Sequence, residues 1–164
     1  MGFTAADVKN LREMTGVGMM DCKKALAEAD GNIEKAVEWL REKGLAAAQK
    51  KAGRIAAEGM AYAWVCPECG VGSIVEVNAE SDFVAKNDLF VDYVHKVARV
   101  VAKDGPADLD ALMACKYPES EKTVLEEQND KVLVIGENIK VRRFARYDKG
   151  TSIAYVHMLS LIHI

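Results

Sequence analysis

The chain has 164 residues, half of them apolar, and a formal net charge of −3 from 22 lysines and arginines against 25 aspartates and glutamates. That is ordinary core-forming material for one medium domain, or for a small domain joined to a second. The absence of a basic excess argues against nucleic acid as the main ligand. No apolar run reaches the length of a bilayer span, and Met1-Gly2-Phe3-Thr4 lacks a signal-peptide core, so neither a membrane nor export is expected and the cytoplasm is the expected location.

In chain order, Thr4-Ala5-Ala6-Asp7 has the spacing of a capping box, and Val8 and Leu11 recur at a helical interval until Thr15-Gly16-Val17-Gly18 breaks the pattern. A second helix is predicted from the stripe Cys22, Ala25, Leu26 and Ala29. Asp30-Gly31-Asn32 ends it and starts a third, with Ile33, Ala36, Val37 and Leu40 as its apolar face and Gly44 as its stop. Two adjacent methionines at a helix start cannot both lie on one stripe, so Met19 or Met20 is expected at the surface unless both close the bottom of this small core. Leu45 to about Glu58 reads as a further, alanine-rich connecting helix ended by Gly59.

Met60–Val65 and Gly72–Asn78 read as two strands of a hairpin around Cys66-Pro67-Glu68-Cys69-Gly70. The two cysteines invite a redox dithiol or half of a zinc site. A complete zinc site needs a second ligand pair, and Cys22, Cys115, His95 and His157 offer no matching spacing. A reactive dithiol belongs at a helix start rather than in a hairpin. A structural or incidental role is therefore favoured for Cys66 and Cys69, with zinc shared between chains as the main exception. Four scattered cysteines do not make a disulfide framework.

Val75 to Asp88 passes from strand to helix through Ser81-Asp82-Phe83-Val84. On pattern alone, Asp82 or Asn87 caps the following helix and Phe83 drops into the core; alternatively Asp82 and Phe83 protrude toward a partner. A strong helix follows, with Leu89, Phe90, Tyr93, Val94, Val97, Val100 and Val101 on its apolar stripe and His95 on the solvated side. Asp108–Cys115 is a shorter helix. Glu121 to about Ile135 is helical again, with Val124, Leu125, Val132 and Ile135 as apolar candidates and Gly136-Glu137-Asn138 as its stop. Ile139–Tyr147 is a strand with one basic face, Arg142, Arg143 and Arg146, expected to be solvated or paired with carboxylates. Phosphate-loop, dinucleotide, zinc-protease and serine-hydrolase motifs are all missing, and no nucleophile–base pair stands out, so the chain does not read as an enzyme and no cofactor is expected.

Three stretches resemble one family. Met14-Thr15-Gly16-Val17-Gly18-Met19-Met20-Asp21-Cys22-Lys23-Lys24-Ala25-Leu26 resembles the N-terminal, ubiquitin-associated-type domain of bacterial elongation factor Ts. Val75–Asp88 resembles its central signature, with Ser81 where the family usually has threonine. Ile135-Gly136-Glu137-Asn138-Ile139 with Val141-Arg142-Arg143 resembles a second signature. The resemblance implies an α+β protein: a three-helix ubiquitin-associated-like unit over 1–44, a connecting helix over 45–58, a first core subdomain over 59–147 with a small antiparallel sheet packed by helices, and the start of a second core subdomain over 148–158. It implies a guanine-nucleotide exchange factor that binds the GTPase elongation factor Tu and promotes GDP release by displacing Mg2+. Ser81, Asp82, Phe83 and Val84 would dislocate the metal, with Phe83 exposed as a wedge. Arg12, Met19 and Met20 would supply a second anchor, and Ile135, Gly136 and His157 further contacts. A helical interaction module confined to the first 44 residues, or a protein built around Cys66 and Cys69, would be the alternatives. Leu159–Ile164 fits no part of the resemblance. Written back through the genetic code as CTG-TCT-CTT-ATA-CAC-ATC, it matches a sequencing-library adapter, and it is expected to be a non-native tail.

Overall fold

A computed structural model describes residues 2–155; His157 and the 159–164 tail lie outside the described residues. The fold is α+β, as expected, and among the described residues it has a three-stranded antiparallel sheet and seven helices.

Helix α1 (Ala5–Thr15) starts as its sequence dictates. The Thr4 hydroxyl accepts from the Asp7 amide, the Asp7 carboxylate accepts from the Thr4 amide, and Gly16 closes the helix in the left-handed region. These hydrogen bonds from Thr4 hold the Asp7 carboxyl below its usual range. Helix α2 (Met19–Glu28) buries Cys22, Ala25 and Leu26, and the Asp30-Gly31 turn, both residues at positive φ, leads to the Asn32 cap of α3. Val8, Leu11, Cys22, Ala25, Leu26, Ala36 and Leu40 make one small core.

Helix α3 does not stop at Gly44. It runs unbroken over Ile33–Lys51, and the chain then leaves helical structure well before Glu58. The reason is packing: Gly44 is buried against α7 (Val124–Ile135), where a Cβ would lie 3.5 Å from the Asn129 carbonyl oxygen. Close approach of two helices, rather than a cap, explains this glycine. Around it Lys51 Nζ donates to the Val132 carbonyl (3.3 Å), Arg41 pairs with Glu126, and Ala48 packs on the second core. Gly44→Ala should raise the melting temperature, because alanine is about 0.5–1 kcal/mol better than glycine inside a helix and the added methyl meets only ordinary contacts. Gly44→Leu should lower it by wedging the helices apart, and thermal unfolding of the two variants checks both signs.

The sheet has the order β1 (Glu58–Val65), β2 (Gly72–Ala79), β3 (Lys140–Tyr147), antiparallel throughout. Ser73, Val75, Val77 and Ala79 of β2 share one face, and the Ser73 hydroxyl donates to the Ala98 carbonyl of α5 (Asp88–Asp104) at 2.8 Å. That helix lays Phe90, Tyr93, Val94, Val97, Val100 and Val101 on the sheet; Leu89, placed on the same stripe by periodicity, is exposed, since it lies at the edge of the stripe about 100° round the helix from Phe90. His95 is half-buried rather than fully solvated. Its ring stacks on Tyr62 of β1 at 3.9 Å, and burial followed by the Arg99 charge moves its pKa down.

Short helix α6 (Leu109–Ala114) is capped by Asp108. Helix α7 begins at Val124, three residues later than periodicity suggested, because Thr123 and Glu126 form a second capping box and the Tyr117–Lys122 turn precedes it. Its face divides between two cores: Val124, Val132 and Ile135 join the sheet core, whereas Leu133 and Val134 pack on the α1–α3 core and Leu125 stays exposed.

On β3, strict alternation would send Arg142 and Arg143 to opposite faces. A register shift opposite Glu76–Val77 puts both on Glu76, with Arg142 Nη1 at 2.9 Å from one carboxylate oxygen and Arg143 Nε at 2.5 Å from the other. Burial pushes the Glu76 carboxyl up, but the two guanidiniums outweigh it and leave it below the ordinary range. Arg146 instead pairs with Asp148 at 2.7 Å. The expected pairing with carboxylates holds for all three arginines.

Candidate partner-binding site

The turn after β2 carries an exposed aromatic side chain on a backbone tied by hydrogen bonds. Asp82–Ala85 forms a single helical turn, α4, whose cap is Ser81: its hydroxyl accepts from the Val84 amide at 3.4 Å. Asn87 then caps α5, its side-chain oxygen accepting from Leu89 N at 2.9 Å. With both caps assigned, Asp82 is free of that duty and pairs across the surface with Lys86 at 3.5 Å.

The four residues divide their tasks. Val84 is 8% exposed and enters the sheet core, while Phe83 is 80% exposed and touches none of it. The pattern-based expectation of a buried Phe83 is thus overturned. Val84 and Ala85, both buried, take the inward side of this single turn, and Phe83 stands on its outer side.

Beneath Phe83 the backbone is fastened to the end of α7. One oxygen of Glu137 accepts from the Glu80 and Ser81 amides (3.1 and 3.0 Å), and the other accepts from the Ser81 hydroxyl at 2.7 Å. In return the Glu80 carboxylate accepts from the Asn138 amide at 2.6 Å and from Arg54 at 3.4 Å, and the Asn138 side chain donates to the Arg54 carbonyl at 2.9 Å. Charge-assisted bonds to backbone amides are the strong kind, so this is a reciprocal clasp. Glu80 and Ser81 are thus joined to Glu137 and Asn138 across the chain, with Gly136 in the left-handed region (φ 88°) turning the chain between α7 and Glu137. Lys51 stands beside the clasp, its pKa pulled down by burial and by Arg54 against the opposing charges of Glu80 and Glu137.

Arg12, Met19 and Met20 form a second exposed set on the three-helix unit. Met19 is 45% and Met20 67% exposed, so both lie at the surface and neither closes the core; with Phe3, Val8 and Lys23 the two methionines line a shallow depression. Glu80 and Glu137, which position the turn, were not singled out from sequence. The signal was present in retrospect, since both glutamates sit inside the two signature stretches.

Among the described residues no group of three or more His, Cys, Asp or Glu converges as a metal site, and no helix is long and apolar enough to cross a membrane.

Comparison with known proteins places this surface in context. A family model described as elongation factor TS matches residues 80–163, starting at the clasp itself. The chain is 52% identical over 166 residues to an elongation factor Ts of Syntrophotalea carbinolica, covering all of this chain and 54% of the relative. Proteins of the same name from Trichlorobacter lovleyi (50% over 160 residues, 96% of this chain and 51% of the relative) and Clostridium perfringens (52% over 157 residues, 94% and 52%) are comparably similar. An α+β chain with an exposed aromatic on a clasped turn thus falls in the class of translation elongation factors. The chain belongs to the elongation factor Ts family, and it spans about half the length of the curated relatives it matches.

Proposed function

We propose that this chain is a cytoplasmic guanine-nucleotide exchange factor of translation that binds elongation factor Tu in its GDP-bound form and speeds release of GDP. The observation that carries the proposal is the presentation of Phe83: a large apolar ring, 80% exposed, on a turn held to Glu137 by two backbone amides and the Ser81 hydroxyl. A scattered surface apolar residue means little, but one held on a rigid base has little conformational freedom left to lose on binding.

Phe83 acts as a wedge between helices of the partner's GTPase domain, and Asp82 beside it hydrogen-bonds there. Ser81 and Val84 hold the wedge in place. Displacement of the partner's helix disturbs its Mg2+ and with it the charge compensation of the GDP phosphates. Ile135 and Gly136, joined to the wedge through the clasp, lie toward the partner's phosphate-binding region. Arg12, Met19 and Met20, on the ubiquitin-associated-like unit of residues 1–44, give a second anchor whose thioethers suit an adaptable contact. No covalent step is involved: binding energy stabilises a nucleotide-poor partner, and by linkage GDP weakens binding of the factor by the same ratio.

Release of labelled GDP from elongation factor Tu tests this directly. Adding the chain should accelerate release, with excess GDP weakening the complex; an unchanged release rate at saturating chain refutes the proposal.

A further inference from the structure

The Cys66–Cys69 loop has no part in exchange as proposed, yet it is not a loose hairpin tip. Cys66 N donates to the Val71 carbonyl and Gly70 N donates to the Cys66 carbonyl, both at 2.9 Å, with Gly70 at φ 71° where a side chain would be strained. The turn is thereby closed on Cys66 from both sides. Both thiols are free, Cys66 buried at 2% exposure and Cys69 exposed.

A C-x2-C turn closed through the backbone of its first cysteine holds two thiols in one loop, the arrangement that presents two thiolates to one soft cation. A redox dithiol fits less well. The pair sits in a hairpin rather than at a helix N-terminus, where reactive dithiols are built. Zinc takes four such ligands, and among the described residues no third His, Cys, Asp or Glu joins the pair.

We propose that Cys66 and Cys69 are half of a zinc site that is completed by the same two cysteines of a second copy of this chain. Two-fold symmetry brings one hairpin tip against its equivalent and supplies four sulfurs without any other donor. Each thiol gives its proton to solvent as the ion binds. The position suits such a contact. The loop joins the start of β2, whereas the clasp and Phe83 follow its end, eight residues and roughly 25 Å along the strand, so pairing through the tips leaves the wedge uncovered.

The test is made on the whole chain, reduced, loaded with zinc chloride and freed of excess metal. The expected result is one zinc per two chains by elemental analysis, a dimer by light scattering, and return to monomer with a strong chelator. Cobalt in place of zinc should give the intense absorption of a tetrahedral tetrathiolate site. Cys69→Ser, at an exposed position where folding is not at risk, should abolish both metal retention and dimerisation with unchanged circular dichroism; Cys66→Ser should do the same. No retained zinc, one zinc per monomer, or retention by Cys69→Ser would each overturn the proposal. None of these readouts depends on nucleotide exchange.

Discussion

Phe83→Ala should remove most of the stimulation of GDP release, by about thirtyfold or more, while leaving the fold and its stability essentially unchanged. The size follows from what anchor residues of interfaces carry: truncating a central aromatic commonly costs about 2 kcal/mol or more, and about 1.4 kcal/mol is a factor of ten. The lack of a stability effect follows from exposure, since the ring is outside the core and substitutions at such positions usually change stability by no more than about 0.5 kcal/mol. The measurement pairs the release assay with a thermal melt. Normal release by a folded variant would refute the wedge, and a large drop in melting temperature would show that the ring supports the fold instead.

The second large effect is expected at Glu137, which never has to touch a partner. Glu137→Ala deletes the acceptor of two backbone amides and one hydroxyl in a half-buried position. Charge-assisted bonds of this kind are worth about 1.5–3 kcal/mol each, but water can reach the freed amides, so a loss on the order of 3 kcal/mol is expected rather than the full sum. For a chain of this length that corresponds to a drop of about 6–12 °C in melting temperature. Exchange should fall as well, measured at a temperature where the variant is folded, because the Phe83 turn loses its base. Glu137→Gln keeps the shape and one acceptor oxygen, so it should fall between wild type and alanine on both readouts. A variant that loses stability yet exchanges normally would show that the clasp serves only the fold.

How much of this was legible beforehand differs from element to element. The Thr4 capping box, the Cys22–Ala29 stripe, the hairpin and the long helix after Asn87 are local patterns, and each folded where its pattern put it. Gly44 misled because a glycine at a helix end and a glycine under a crossing helix look alike until the crossing helix is known. His95 was assigned to water by its place opposite the apolar stripe, yet Tyr62 arrives there from another strand. The pairing of Arg142 and Arg143 on one carboxylate depends on a bulge that alternation cannot foresee. For the turn itself, pattern favoured burying Phe83, and resemblance favoured exposing it; the exposed ring is what the structure has. The clasp was invisible, because a hydrogen bond between residues 57 apart leaves no periodic trace.

The division of α7 between two cores has a mechanical consequence. A push on the Phe83 ring passes through the Ser81 backbone and Glu137 into the C-terminal end of that helix, and from there through Leu133 and Val134 into the three-helix unit and through Lys51 into α3. The load path is short and made of hydrogen bonds and packed side chains, with no free segment to absorb displacement.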